Sequence, residues 1–415
     1  MSEEKRRILT VEIGRERDGK TVRDVMRGEL LFSEKLMSRI KYRSDGIMLN
    51  GVRVRTTAVL REGDRLCLDI TDPEESGSVW AEPPEKKELR VCYEDEDLLI
   101  VDKPSGMVCH PSFGHYADSL ANHIAYRMGW TGTSREIHMI GRLDRDTCGL
   151  VVVAKNAGAA GLLARQREEG IMKKTYLALA EGLIRADAES PKNRTDMPDE
   201  AALAAPEGGS AGTCFRADGC IEGPIGNVPG VLMLRQVDPE GKPARTWYRI
   251  LGHRDIMAGD RREETQIDHR KELRGDRREE KQTEYRKELR EDRREETQIK
   301  HRKELREEPQ GEKTLLACRI DHGRTHQIRV HMASIGHPLA GDLLYGPGGA
   351  AEEFRRTGDP EKVRKINASG KSEESPLGLC AWNMELIQPF TKEKISVWAE
   401  KPEWAGDFDI GDIFQ

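Results

Sequence analysis

The chain has 415 residues, 36% of them hydrophobic and 34% charged, and a formal net charge of −6. That length excludes a small disulfide scaffold and leaves room for two or three domains with a sizeable core. No apolar run approaches the roughly 20 residues of a spanning helix, so no membrane partner is expected. The opening MSEEKRRILTVEIG has no apolar signal-peptide stretch. Eight scattered cysteines without a CxxC pair read as reduced thiols, and a cytoplasmic location is expected. The net charge does not advertise a nucleic-acid binder, but local charge decides that question better than the total.

Residues 1–19 read as an N-terminal tail or strand, and residues 20–72 as a small α/β module. There Ser33 is placed to cap a helix whose Leu36, Met37 and Ile40 face inward. Lys35 and Arg39 are four apart on another face, with Lys41 and Arg43 behind them. Asn50-Gly51 is a hairpin turn signal between two short strands. A short basic helix on small strands suits RNA backbone, and equally a solvated charged face. Residues 73–88 contain Pro83 and Pro84 among charges and read as an interdomain linker.

A larger domain follows, residues 89–415. RVCYEDEDLLIVDKPSG predicts strand, acidic turn, strand and a Pro-Ser-Gly turn. Asp118 is placed to cap a helix carrying Leu120, Ile124 and Met128. Leu150–Ala154 is a wholly apolar strand, and TYLALAEG, TWYRIL and TLLACRID are further strands. Two insertions interrupt them. Residues 186–211 are rich in Pro, Ala, Gly and acids and read as a flexible loop. Residues 252–312 hold three charged sixteen-residue repeats over 260–307, in which acids and bases nearly balance. Like charges four apart (Asp260 and Glu264) and the lack of an apolar stripe predict a solvated segment there. It extends a loop between strands expected to be neighbours. Strands and helices do not alternate regularly, which predicts an α+β fold.

Two polar islands abut apolar strands. The first is Gly141-Arg142-Leu143-Asp144-Arg145-Asp146-Thr147-Cys148-Gly149. Two acids and two arginines beside a buried strand are costly unless paired or used. A calcium loop fits Asp144, Asp146 and Gly149 but fails at Cys148 and Lys155. A salt-bridged turn and a reactive carboxylate both remain open. The second island is Gly323-Arg324-Thr325-His326-Gln327-Ile328-Arg329-Val330-His331. Thr325 is placed to cap a helix with Ile328, Met332 and Ile335 as its stripe. Its arginines and histidines suit phosphate or carboxylate recognition. Histidines five apart are not a helical metal pair, so no metal is expected. There is no GxGxxG after a strand, no Walker loop and no GxSxG elbow.

GRLDRDTCGLVVVAK together with GRTHQIRVHMASIGHPLAGDLLYG resembles the catalytic core of the RluA-type family of pseudouridine synthases. VDKPSGMVCHPSFGH, KKTYLALAEG and GKPARTWYRIL resemble its other blocks, in order. Residues 20–72 resemble the alpha-L RNA-binding domain that often precedes it. The family usually has His in place of Gly141, Ser in place of Cys148, and a His near Cys380.

The resemblance implies a mixed, largely antiparallel bent sheet flanked by helices. It implies isomerisation of uridines in structured RNA, ribosomal ahead of transfer RNA, by a monomer. Asp144 would be the catalytic aspartate, Tyr176 the aromatic on the target base, and Arg329 the arginine paired with Asp144. Arg142, Arg324, His326, Lys35 and Arg39 would bind substrate. No atoms are gained or lost, so no cofactor is expected. A carboxylate would attack the ribose or assist glycal formation while uracil leaves. The uridine must leave its stack, and Arg142 is placed to fill the gap. A reading from another class is an RNA-binding factor on the same scaffold with impaired catalysis.

Overall fold

The computed structural model describes residues 6–73, 79–185, 217–254, 312–321, 323–369, 376–406 and 408. The loop expected at 186–211 and the repeats at 260–307 lie outside these described residues. The chain divides into two compact units. One comprises Met1–Gly252 and Thr314–Gln415; of the other, His253–Lys313, only the ends are described.

The N-terminal part of the first unit is a four-stranded sheet in the order β1-β4-β2-β3, from β1 (Ile8–Glu12), β2 (Ile47–Leu49), β3 (Val52–Arg53) and β4 (Arg65–Asp69). Asn50 and Gly51 adopt the positive φ that a tight two-residue hairpin demands. Helix α1 (Glu34–Tyr42) starts where Ser33 Oγ accepts the Leu36 N–H at 3.2 Å. It buries Leu36, Met37 and Ile40, as its spacing predicts. Strand β1 completes this sheet, so residues before 20 belong to the module's own core through Leu9 and Ile13.

Among the described residues the main sheet has ten strands. In chain order they are β5 (Arg90–Glu94), β6 (Leu98–Lys103), β7 (His138–Met139), β8 (Cys148–Ala154), β9 (Lys173–Glu181), β10 (Gly219–Glu222), β13 (Arg245–Arg254), β14 (Lys313–Asp321), β15 (Leu379–Ile387) and β16 (Lys394–Trp398). Strands β11 (Ile225–Val228) and β12 (Val231–Val237) form a separate hairpin. The order is β10-β13-β14-β9-β15-β8-β6-β5, with β16 on β15 and β7 on β8. The β15–β8 pair is parallel, while β9, β6 and β16 run antiparallel to their neighbours, so the sheet is mixed and the class α+β. The long insertion joins β13 to β14, which are adjacent, as expected.

Both faces of this sheet are covered, which explains its unbroken apolar strands. Val151 and Val153 of β8 join one core with Leu120 and Ile124 of α2 (Leu120–Arg127). Leu150 and Val152 join the other core, with Ala159 and Leu163 of α3 (Ala157–Glu168). Helix α2 is capped by Ser119 and not by Asp118, which instead accepts a hydrogen bond from His115 at 2.8 Å. Helix α4 (Gln327–Ser334) follows β14, and α5 (Ala350–Thr357) and α6 (Pro360–Ser369) precede β15.

The small module is docked on the main sheet. Arg7 makes two hydrogen bonds to buried Asp97, at 2.8 and 2.7 Å. Asp72 is held by Arg39 at 2.6 Å and His138 at 2.8 Å. A Cβ on Gly158 of α3 would lie 3.0 Å from the Phe32 ring. Part of the expected linker is fastened too: Trp80 is buried and donates to the Arg135 carbonyl at 2.6 Å, and Asn122 donates to the Ala81 carbonyl.

Candidate active site

The first polar island is the loop between β7 and β8. Leu143 buries its side chain in the α2-side core, which turns its neighbours away from that core. Three groups fasten the loop's backbone from the β6–α2 connection. Lys103, fully buried, donates to the carbonyls of Pro104, Met107 and Arg145 at 2.9, 2.8 and 2.9 Å. Ser105 donates to the Asp146 carbonyl at 2.7 Å. The Cys109 thiol donates to the Leu143 carbonyl at 3.4 Å and accepts its N–H at 3.3 Å.

Of the four charges that looked costly, two cancel: Arg145 makes a two-pronged pair with Asp146 at 2.8 and 3.1 Å. Arg142 is exposed and donates to Thr325 at 3.2 Å, which ties this island to the second. Asp144 is half-buried and makes no hydrogen bond or ion pair with any described residue. Its charge is nonetheless felt at five groups: Lys103, Tyr176, His326, Arg329 and Tyr345.

Tyr176 sits on β9 in the same core as Leu143 and Ile328. Alternation along the strand sends it to this face, with Ala178 and Ala180, while Leu177 and Leu179 go to the other. Burial first, and then the Asp144 carboxylate, push its phenol well above the usual range.

Arg329, on α4, is buried, but its partner is not Asp144. It makes a two-pronged pair with Asp342, at 2.8 Å from Nε and 2.6 Å from Nη2. Asp342 also accepts the N–H groups of Leu344 and Tyr345 at 2.9 and 3.1 Å. The expected Asp144–Arg329 pair is therefore corrected. A fully buried carboxylate meets the guanidinium's fork, and a half-exposed one is left to face outward. Burial raises the Asp342 pKa, yet Arg329 and the two amides more than offset it and hold the carboxyl below its ordinary value. The Arg329 guanidinium also lies 5.3 Å from the centre of the Tyr345 ring.

His326 precedes α4 in the left-handed region, at φ 58°, and makes no cap with its side chain; Thr325 is not the cap either. The turn is held by Gln327, which accepts the Arg324 N–H at 2.9 Å and donates to the Arg245 carbonyl at 2.7 Å. The Tyr345 hydroxyl accepts the Arg235 N–H at 2.9 Å and lies 2.8 Å from His326 Nδ1. Burial, chiefly, pushes the His326 pKa down to about 4, so the ring is neutral. Arg324 donates its Nε to the Pro243 carbonyl at 3.1 Å.

The structure thus gathers Arg142, Asp144, Tyr176, Arg324, His326 and Arg329 around one centre. Lys35 and Arg39 are elsewhere, on α1. Lys35 is exposed and makes no ion pair among the described residues, whereas Arg39 is engaged by Asp72. Sequence reasoning assigned no role to Lys103, Asp342 or Tyr345. The signals were present: a lysine among apolar strand residues in VDKPSG, and an acid with an aromatic in GDLLYG just past the helix stop.

A profile of the RNA pseudouridylate synthase family matches residues 97–334, more than half of the chain. The chain is 28% identical over 329 residues to the uncharacterized RNA pseudouridine synthase YjbO of Bacillus subtilis, covering 79% of this chain and 84% of that one. It is 30% identical over 361 residues to an uncharacterized RNA pseudouridine synthase of Aquifex aeolicus, covering 86% and 82%. It is also 29% identical over 337 residues to ribosomal large subunit pseudouridine synthase D of Nitrosomonas europaea, covering 81% and 67%. With its two motif islands folded around one half-buried aspartate, the chain belongs to the RNA pseudouridylate synthase family, in its RluA-type branch, and is an isomerase acting on RNA.

Proposed function

We propose that the chain converts specific uridines of structured RNA, ribosomal ahead of transfer RNA, to pseudouridine with Asp144 as nucleophile. The observation that carries this is the environment of Asp144. Its carboxylate is half-buried and unpaired among the described residues, on a backbone clamped at Leu143, Arg145 and Asp146. An acid left without partners at a site this well fastened is held ready for an external electrophile. It attacks the ribose carbon, or draws off a sugar proton to give a glycal, while uracil leaves as an anion. The base rotates and its carbon 5 bonds to the sugar carbon as the Asp144 carboxylate leaves, or as the glycal takes its proton back, and transfer of the carbon-5 proton away with uptake of one at nitrogen 1 completes the exchange. Tyr176 stacks on the uracil from the core side, and its phenol, held protonated by burial, relays the carbon-5 proton. His326 offers a neutral imidazole, and Arg142 and Arg324 face the phosphates. Arg329 acts through Asp342 and Tyr345 by keeping the pocket wall in place.

The proposed setting is cytoplasmic and monomeric; among the described residues no helix is long and apolar enough to cross a membrane. The test is to map pseudouridine across total RNA from cells with and without the gene, and to repeat it with Asp144→Asn. The amide is nearly isosteric but is not a carboxylate nucleophile. Conversion should vanish with the melting temperature unchanged. A rate near wild type in the purified variant would remove Asp144 from the chemistry.

A further inference from the structure

One feature close to the site has no part in the chemistry above. Between Cys109 and Ser119 the chain leaves the protein and returns to its starting point. The Leu120 N–H donates to the Val108 carbonyl at 2.8 Å, and the Ala121 N–H to that of Cys109 at 3.1 Å. The excursion between these anchors is short and internally braced. Ser112 and His115 exchange backbone hydrogen bonds at 3.0 and 2.9 Å, and His115 is tied to Asp118 at 2.8 Å. That bracing leaves Phe113 and Gly114 as the tip of a tight turn, with Gly114 at φ 82°. Compact loops with closed ends are frequently functional.

The tip carries what a surface loop normally avoids. Phe113 is 95% exposed and Tyr116 67% exposed. Single exposed apolar side chains are ordinary. Here two aromatics share one braced turn, and its base is welded to the active-site loop. Cys109 holds the Leu143 backbone, next to Asp144. Partial desolvation first, and then the Arg142 guanidinium, lower the His110 pKa, so the first residue of the arm lies within the field of that arginine. Phe113 is four positions past Cys109, so even fully extended the tip is within about 14 Å of that anchor.

We infer that this arm is a stacking platform: Phe113, with Tyr116 beside it, takes an unstacked base next to the target uridine in single-stranded RNA. The inference rests on the reading of the site as an RNA site. RNA is read sequence-specifically where its bases are splayed out, and aromatic faces are the usual receivers. A rigid turn presents the ring without an ordering cost at binding. A phenyl ring has no charge, so the platform adds affinity without adding to the salt dependence.

The test uses the full chain carrying Asp144→Asn, a fluorescein-labelled single-stranded oligouridylate, and equilibrium binding at several salt concentrations. Adding Phe113→Ala should weaken binding by roughly 5- to 150-fold, the usual range for one lost stacking partner. The slope of log affinity against log salt should not change, and Phe113→Trp should restore affinity. The melting temperature should stay put, because Phe113 touches almost nothing. Unchanged affinity in Phe113→Ala, or wild-type binding too weak to measure, would overturn the platform, as would an altered salt slope. The catalytic reading fails separately. If no RNA gains pseudouridine but binding still depends on Phe113, the platform stands and the chemistry falls. If Phe113→Ala in the otherwise native chain converts cellular RNA at the wild-type rate, the platform falls and the chemistry stands. Capture of a protein by this arm, with no effect of Phe113 on RNA, also overturns it.

Discussion

Two carboxylates, Asp144 and Asp342, both feel Arg329, and their surroundings give them different tasks. Asp342 is fully buried, with both oxygens on the guanidinium and two amides on one of them. Asp144 has none of these. Environments that separate like groups assign their roles. Asp342→Asn should therefore behave as a structural lesion, because it strands a buried guanidinium. About 3–5 kcal/mol of stability is expected to go, as in Arg329→Ala, whereas a double replacement by apolar residues should cost less than the two singles together. Thermal unfolding of the three variants checks this, and equal, additive losses would contradict it. The pH dependence has a definite sign. The folded-state pKa of Asp342 lies below its ordinary value, so its contribution is present above an unfolded carboxyl pKa of about 4 and is lost as pH falls through the folded value. The wild-type melting temperature should drop on acidification below about pH 4, and that part of the drop should be missing in Asp342→Asn. His326, pushed down to about 4 mainly by burial, stays neutral above that pH and does not shape a rate profile between pH 5 and 8.

At the scale of elements, the catalytic loop is rigid because a strand end reaches under it. Lys103, the last residue of β6, gathers three carbonyls from two loops. Lys103→Met fills the space but leaves those acceptors unpaired, at about 1–3 kcal/mol each where water does not enter. A loss of at least about 2 kcal/mol in denaturant unfolding is expected, with a fall in turnover larger than any rise in KM. A variant with full stability would show that water replaces the ammonium. On α1, Lys35→Glu in the full chain should weaken RNA binding and make the salt slope shallower by about one phosphate contact. The same change at Arg39 would act through Asp72 and His138 on module docking instead. Cutting the module away would confuse the two effects, because it strips Asp97 of Arg7. How legible these elements were follows the range of the forces. Ser33 and the Leu36–Met37–Ile40 stripe are local signals, and α1 is as expected. The strands Leu150–Ala154 and TYLALAEG were evident from apolar runs. The caps at Asp118 and Thr325 were misplaced by one residue each, because Ser119 is equally able to cap, and because Gln327 and Tyr345 hold the start of α4 through long-range bonds. The Arg329 partner was missed for the same reason: two acids were within chemical reason, and only packing chose Asp342.

For the whole molecule, the long insertion joins two strands that are neighbours in the sheet. Closure entropy grows by only about 0.6 kcal/mol per doubling of loop length. Replacing residues 259–308 with a short Gly/Ser turn should leave the melting temperature and pseudouridine formation on a minimal RNA unchanged. Loss of conversion in a folded variant would show that the insertion touches substrate. The strand order has a further consequence, for how the protein is made. Strand β15 lies between β9 and β8, yet it leaves the ribosome about two hundred residues after them. Until it arrives, the nascent chain holds β9 open along Lys173–Ala178, with Leu177 on that edge, and the start of β8 open at Cys148 and Gly149. Open apolar edges of this kind recruit other chains. The loop bearing Asp144 ends at Cys148, whose register partner is Cys380 on that late strand. The end of that loop and the open edge of β9 are therefore closed at the same moment of synthesis, and an interrupted translation product lacks both pairings.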